Sequence, residues 1–253
     1  MVKAFFFNGH LLKEINKTFI TLIPKSDSPK TSNHFKPISL CNVCYKIIAK
    51  SLANRIKPLL NKIVSPLQGE FSPRRLINDN ILLAHEIMHS FKKKKGKSGY
   101  MAVRLDMEKD YDRFEWDSIR VIISKIGFHP KWIEWVMEES VSIVSYSILI
   151  NGILEGKIQP SRGIRQGDPL SPYIFILCIK YLGKELVKEM KNPINHLGIS
   201  THQNGPKIPF LMFADDCIIF AKASQNAHSN INRILNNFCV MLGQVVNFHK
   251  SSI

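Results

Sequence analysis

Apolar residues recur along the chain in two periods, and the switches between them mark out alternating strands and helices. Thr18-Phe19-Ile20-Thr21-Leu22-Ile23-Pro24 reads as a strand closed by proline, followed by a polar loop over 25–36 rich in Ser, Thr, Asn and Pro. From Tyr45 the apolar positions Ile48, Ala49, Leu52, Ile56, Leu59 and Leu60 fall at helical spacing, with Pro58 near the end. A second helix is predicted from Asp79 to Phe91. Tyr100 to Leu105 then reads as a strand that delivers Asp106 at its end. Helical period returns at Ile119, Ile122, Ile123 and Ile126, with Asp117 or Ser118 as N-cap and Gly127 as terminator. Pro130 opens a short helix carrying Trp132 and Trp135, which read as packing residues.

Further on, Val144, Tyr146, Ile148 and Ile150 alternate with Ser145, Ser147 and Leu149. The run ends in Asn151-Gly152, a strong hairpin signal, and a second strand returns from Ile153. The loop Arg165-Gln166-Gly167-Asp168-Pro169-Leu170 leads to Ser171-Pro172, good N-cap and N1 residues for an apolar helix reaching about Met190. Ser224 caps a helix whose inner face is Ile231, Ile234, Leu235, Phe238 and Leu242, ended by Gly243. Val245 to Phe248 reads as a last strand.

The stretch Phe210-Leu211-Met212-Phe213-Ala214-Asp215-Asp216-Cys217-Ile218-Ile219-Phe220 sets two adjacent carboxylates between short β-prone runs. If the runs pair, the carboxylates sit at the tip of a hairpin. Taken alone the pair reads as a solvated turn, because Asp bonds its own backbone there. Asp106, at the end of another predicted strand, changes that reading. Three carboxylates meeting in space would hold two Mg²⁺ through hard oxygen ligands. Two such ions about 3.5–4 Å apart serve in-line phosphoryl transfer.

Composition narrows the partners. The chain has 253 residues, enough for one large domain or two small ones, and carries 35 Lys and Arg against 20 Asp and Glu, a formal charge of +15. That excess points to polyanions. A membrane partner is not expected, since no apolar run reaches the roughly twenty residues of a spanning helix. The start around Phe5-Phe6-Phe7 is too interrupted by polar residues for a signal peptide. An intracellular protein is expected, with nucleus and cytoplasm both open. The five cysteines are odd in number and scattered, so no disulfide partner is expected; Cys41 and Cys44 form a C-x-x-C without matching further ligands for zinc. The basic run Lys92 to Lys97 reads as a solvated loop.

Phe213-Ala214-Asp215-Asp216, Leu105-Asp106-Met107-Glu108-Lys109-Asp110-Tyr111-Asp112 and Arg165-Gln166-Gly167-Asp168-Pro169-Leu170-Ser171-Pro172 together resemble the palm motifs of reverse transcriptases. The similarity is in particular to the LINE-type, non-LTR retrotransposon class as found in plants. Thr21-Leu22-Ile23-Pro24-Lys25, Lys36-Pro37-Ile38-Ser39-Leu40 and Gly243-Gln244-Val245-Val246-Asn247-Phe248 match in the same order. The resemblance implies an α+β fold: right-hand polymerase fingers and palm, an antiparallel palm sheet packed on helices, and no thumb. Residues 1–99 would be fingers-like, continuing into parts of 118–160, and 100–253 palm-like, together one truncated reverse transcriptase domain.

The same resemblance assigns roles. Asp106, Asp215 and Asp216 would be the catalytic, metal-binding set for two Mg²⁺, with Mn²⁺ as a substitute. Tyr111 would be the steric gate beneath the incoming sugar, though its plain alternative is aromatic packing. Gln166 and Gly167 would touch the template and nascent base pair, or form an ordinary helix-entry turn. Lys25 and Lys36 would approach the dNTP triphosphate, Arg75 and Arg165 would contact nucleic acid, and Lys250 would act as a general acid near the leaving pyrophosphate. The implied partners are an RNA template, a DNA primer and dNTPs.

Three positions depart from the family pattern. Lys36 stands where Arg is usual, replacing a bidentate fork by a point charge. Arg74 stands where Gly is usual, and Asp110 where a small apolar residue is usual. Two functions follow: an RNA-directed DNA polymerase core, or a degenerate, inactive remnant that only binds nucleic acid.

Overall fold

The computed structural model of the chain describes residues 1–70, 76–93, 99–202 and 205–253. Arg74, Arg75 and residues 94–97 of the basic run, on which sequence expectations rest, lie outside them. Internal contacts gather into two units, one formed by Met1–Ile56 with Tyr111–Ile174, the other by Lys57–Asp110 with Phe175–Ile253. The strands are β1 (Lys17–Pro24), β2 (Phe35–Cys41), β3 (Tyr100–Leu105), β4 (Ser145–Ile150), β5 (Ile153–Ile158), β6 (Phe210–Phe213) and β7 (Asp216–Lys222).

The first unit holds a four-stranded sheet of order β2-β1-β4-β5, in which β1 and β4 run parallel and the other pairs antiparallel. Parallel pairing demands a long connection, and the chain from Pro24 to Ser145 supplies it. β2 was not read from the sequence: its first two residues fall in the loop expected over 25–36, and Lys36-Pro37 breaks the apolar alternation of the rest. It lies at the sheet edge, where a proline without an N–H is tolerated. The β4–β5 turn is the expected one: Asn151 and Gly152 have φ of 50° and 84°, as a type I′ turn requires.

Helix Val43–Ile56 buries Tyr45, Ile48, Ala49, Leu52, Ala53 and Ile56, one helical stripe. Helix Trp116–Ile126 starts two to three residues earlier than its sequence signal, with Glu115 at the N-cap, and ends on Gly127 at φ 97°. In helix Pro130–Val136 the His129 side chain caps by accepting from the Lys131 amide. Trp132 is buried there and stacks on Phe128 at 4.3 Å.

The second unit is built on the antiparallel sheet β3-β7-β6. Ile87 of helix Ile77–Lys93 joins Ile199, Ile208, Leu211 and Phe220 in one buried cluster. Helix Ser171–Met190, which starts in the first unit, approaches β6 closely here: a Cβ on Gly183 would lie 2.8 Å from the Phe210 ring. Helix Gln225–Leu242 is capped by Ser224, whose hydroxyl accepts from the Ala227 amide at 3.3 Å, and buries the predicted face with Ala227 added. The expected strand Val245–Phe248 is instead an irregular segment: Val246 bridges Met107 and Ser252 bridges Arg104, too few residues to make a ladder. No helix among the described residues is long and apolar enough to cross a membrane.

Nothing lies within 4 Å of a Cβ built on Gly152, so its substitution tests backbone strain alone. Gly152→Ala should destabilise by about 1–2 kcal/mol in urea unfolding. A loss near zero would mean the turn is not held in the left-handed conformation.

Candidate active site

Antiparallel pairing in the second unit sets the acidic residues. β3 pairs β7 from Tyr100↔Lys222 to Leu105↔Cys217; continuing that register one residue puts Asp106 opposite Asp216. β6 and β7 close on Phe213↔Asp216 through a two-residue turn, Ala214-Asp215. Ala214 has φ 51°, a left-handed conformation that a β-carbon disfavours, so the tight turn carries local strain. Asp215 and Asp216 are exposed and Asp106 is half-buried.

Two segments clamp this end of the sheet from its edges. On the β6 side, Met212 donates to the Leu67 carbonyl and accepts from the Gly69 amide, each at 2.9 Å. Gln68 Nε2 donates to the Ala214 carbonyl at 3.4 Å, and Asn80 Nδ2 to the Met212 carbonyl at 2.9 Å. A Cβ on Gly69 would lie 2.8 Å from that Asn80 nitrogen, which accounts for the glycine. On the β3 side, Arg104 and Ser252 exchange backbone bonds at 2.8 and 3.1 Å. Asn247 donates its amide to the Asp106 carbonyl at 2.8 Å, and the Asp106 amide donates to Ser251 Oγ at 3.2 Å. Lys250, exposed, sits on this clamping segment between Asn247 and Ser251.

Charge is concentrated here. Glu70 is brought beside the turn by the Gly69–Met212 pairing, and its carboxyl is pushed up to about 7, first by burial and then by the charges of Asp215 and Asp216. Against this stands Arg104, whose Nη2 lies 3.5 Å from Asp216 Oδ1, with both side chains about 60% exposed. Such a pair is weak. As arranged, no group of three or more His, Cys, Asp or Glu among the described residues is close enough to hold a metal ion. The backbone delivers Asp106, Asp215 and Asp216 to neighbouring strand ends without drawing their oxygens together. The donor set is nonetheless all-carboxylate, the chemistry that hard divalent cations take.

In the first unit the structure brings together the Arg-Gln-Gly loop and the fingers-like lysines' strands. The Gln166 carbonyl accepts from the Ser39 amide at 2.8 Å, and Gly167, φ 103°, would place a Cβ 3.2 Å from the Ser39 carbonyl oxygen. On the other side Ile164 donates to the Tyr111 carbonyl and Gly163 to that of Phe114, both at 2.8 Å. Pro37, Ser39, Asp112, Tyr146, Gly163 and Gln166 line a cavity of about 290 Å³. Lys25 and Lys36 are exposed at the loop end of the β1–β2 hairpin, where the Lys25 amide donates to the His34 carbonyl.

Arg165 departs from its expected role. It is 4% exposed, its guanidinium lies 4.1 Å over the Tyr45 ring, and it donates to Asn16 Oδ1. The nucleic-acid contact expected of this side chain is closed to it in this conformation, because the loop turns it into the core. The buried Asp168 carboxylate acts on it electrostatically and is itself held by hydroxyls: Oδ2 accepts from the Tyr45 hydroxyl at 3.2 Å and Ser171 Oγ at 3.1 Å. Burial pushes the Tyr45 hydroxyl well up, so it stays a donor; burial also raises the Asp168 carboxyl while Arg165 pulls it down. Sequence reasoning missed Asn16, Tyr45, Gln68, Glu70 and Asn80. Only Tyr45 had a local signal, as an apolar helix position.

Removing the Asp168 charge leaves the buried Arg165 guanidinium with less to offset its desolvation. Asp168→Asn should lower stability by about 3–5 kcal/mol in guanidinium unfolding. A loss below 1 kcal/mol would show that Asp168 is buried neutral instead. For Glu70 the folded pKa of about 7 lies above the ordinary 4.5, so its favourable contribution is present at low pH and lost as pH rises through 7. In metal-free buffer Glu70→Gln should therefore raise the melting temperature at pH 8 and hardly at pH 4. Solvent at the half-exposed site limits the gain to about 1 kcal/mol. Equal shifts at both pH values would refute the repulsion.

The family model described as reverse transcriptase (RNA-dependent DNA polymerase) matches residues 23–253. A 149 kDa protein of the Xenopus laevis transposon TX1 is 27% identical over 217 residues, 86% of this chain and 16% of that protein. The Pol polyprotein of the Drosophila melanogaster type-2 retrotransposable element R2DM is 26% identical over 243 residues, 96% of this chain and 22% of the polyprotein. An uncharacterised mitochondrial protein of Arabidopsis thaliana is 48% identical over 68 residues, 27% of this chain and 55% of its own length. The chain thus spans from a sixth to about half of these relatives. Among solved structures, telomerase from Candida tropicalis in complex with a TWJ fragment of telomeric RNA superposes with a TM-score of 0.67 at 14% identity, over 96% of this chain and 41% of that one. That likeness is one of fold: an α+β polymerase fingers and palm, with an antiparallel sheet packed on helices. By the family match over nearly its whole length, the chain belongs to the reverse transcriptase family.

Proposed function

We propose that this chain is the nucleotidyl-transfer core of a non-LTR retrotransposon reverse transcriptase, which adds dNTPs to a primer 3′-hydroxyl along an RNA template. The observation that carries it is the pairing of β3 with β7, which sets the Asp106 strand end beside the Asp215-Asp216 turn. Asp106, Asp215 and Asp216 would hold two Mg²⁺, or Mn²⁺, through carboxylate oxygens. Bound there, the ions supply activation of the attacking hydroxyl and charge stabilisation at the leaving oxygen. The protein's own part is positioning. The two clamps on the sheet edges hold the carboxylates' backbone, and Arg104 moderates the charge of Asp216 until the ions bind.

In this reading Lys250 gives a proton to the leaving pyrophosphate from the segment that clamps Asp106. Gln166 and Gly167 meet the template and nascent pair, held against β2 by the Ser39 bond. Tyr111 excludes a 2′-hydroxyl, Lys25 and Lys36 attract the triphosphate from the β1–β2 hairpin, and Arg75 contacts nucleic acid. Arg165 acts through the loop it anchors. The RNA in the telomerase complex and the formal charge of +15 both support a polyanionic template.

Primer extension on poly(A) with oligo(dT) tests this. Incorporation of dTTP should need Mg²⁺ and fall at least about 10³-fold in the Asp215→Asn, Asp216→Asn double variant, as expected when a group that stabilises transition-state charge is removed. Incorporation unchanged in that variant overturns the assignment of the carboxylates. Salt-sensitive binding without any synthesis by the native chain overturns the polymerase reading in favour of a binding remnant.

A further inference from the structure

The second unit carries a basic recess at the other end of its sheet. From Leu105↔Cys217 the β3–β7 ladder runs five residues to Tyr100↔Lys222, about 17 Å at the strand rise. There an open cavity of about 440 Å³ is lined by Lys93, Lys207, Lys222, His196 and His202, and by no carboxylate among the described residues. The neighbouring Glu189 is engaged elsewhere, paired with Arg233 at 3.0 Å.

The cations stand on fixed backbone. The Lys222 amide donates to the His196 carbonyl at 3.0 Å, and His196 Nδ1 lies 2.9 Å from Ser224 Oγ. Lys207 precedes Ile208, which exchanges both backbone bonds with Ile199, at 2.9 and 3.1 Å. Gly198 forms part of the wall: φ is 78°, and a Cβ would lie 2.9 Å from Met190 Sδ. Single surface lysines are normally solvated without a partner. Three held around one concave recess, with no acid to neutralise them, focus positive potential on it. The lysine ammonium groups are exposed and free of any described ion pair.

We propose that this recess binds the phosphodiester backbone of a single nucleic-acid strand, as a contact separate from the carboxylate end of the sheet. A single strand is flexible enough for its phosphates to follow a concave wall, which a stiff duplex is not. Phosphate contact by lysine is independent of sequence and holds the strand's position rather than reading its bases. The site goes beyond the catalytic reading and does not depend on it.

The test uses the whole chain in EDTA without dNTPs. Acetylation of each lysine is followed by mass spectrometry, alone, with oligo(U) RNA, or with millimolar inorganic phosphate. Lys207 and Lys222 should be slowed several-fold by the oligonucleotide, equally in the Asp215→Asn, Asp216→Asn variant. In parallel, Lys207→Gln/Lys222→Gln should bind fluorescent oligo(U) several-fold more weakly at 0.1 M salt. Its log–log salt slope should be shallower by about 1.4, two phosphate contacts on a single strand. Both lysines are exposed, and an unchanged melting temperature confirms the fold. Unaltered acetylation of Lys207 and Lys222 with RNA overturns the site. Protection by inorganic phosphate but not by RNA overturns the strand in favour of a small anion. Primer extension that survives while this protection is absent sinks the recess alone, and protection without primer extension leaves it standing.

Discussion

A three-stranded sheet has two open edges, and the need to satisfy their backbone groups organises the second unit. The order β3-β7-β6 leaves one side of β3 and one side of β6 without a strand partner. Unpaired buried N–H and C=O groups are too costly to leave so. Neither edge is filled by a strand. Leu67 to Gly69 bonds Met212 of β6, and the segment from Val245 to Ser252 bonds Arg104, Asp106 and Glu108 on the β3 side. Because both segments bond at the carboxylate end, the first also brings Gln68 and Glu70 there, and the second carries Lys250 on its backbone. The site is in large part a by-product of closing the sheet.

The two units treat charge in opposite ways, and the contrast separates structure from chemistry. Arg165 and Asp168 are buried, and each has a π face, a hydroxyl or an amide oxygen to meet it. A pair so enclosed holds the loop's shape, because either charge left alone would be expensive. Glu70, Asp215 and Asp216 are like charges at one turn, and the charges of the two aspartates add to burial in raising the Glu70 carboxyl. Crowding of like charge adds nothing to the stability of a fold, and perturbed carboxyls of this kind cluster where chemistry is done.

Local signals in the sequence were dependable where they rested on one residue's geometry. Asn151-Gly152, Gly127, Gly243 and the Ser224 cap each appear where the pattern put them, since φ and capping are decided within a few residues. The Asp215-Asp216 hairpin tip was legible for the same reason. What failed was set at a distance. β2 exists because β1 offers it an edge, not because Lys36-Pro37-Ile38 favours a strand. Arg165 looks like a surface arginine until Asn16, Tyr45 and Asp168, up to 149 positions away, enclose it. Val245 to Phe248 has strand composition, but the chain bends after bridging Met107, so only part of the edge is taken.

Arg165 bears on how a motif should be read. In Arg165-Gln166-Gly167 the charged member is buried, while the Gln166 carbonyl and the Gly167 backbone are pressed against Ser39. Three consecutive residues therefore divide the structural work: one anchors in the core, one accepts from the Ser39 amide, and one permits the close approach. A lysine in place of Arg165 would keep the charge but lose the planar group that lies over Tyr45 while it bonds Asn16. The position needs guanidinium for packing as much as for charge.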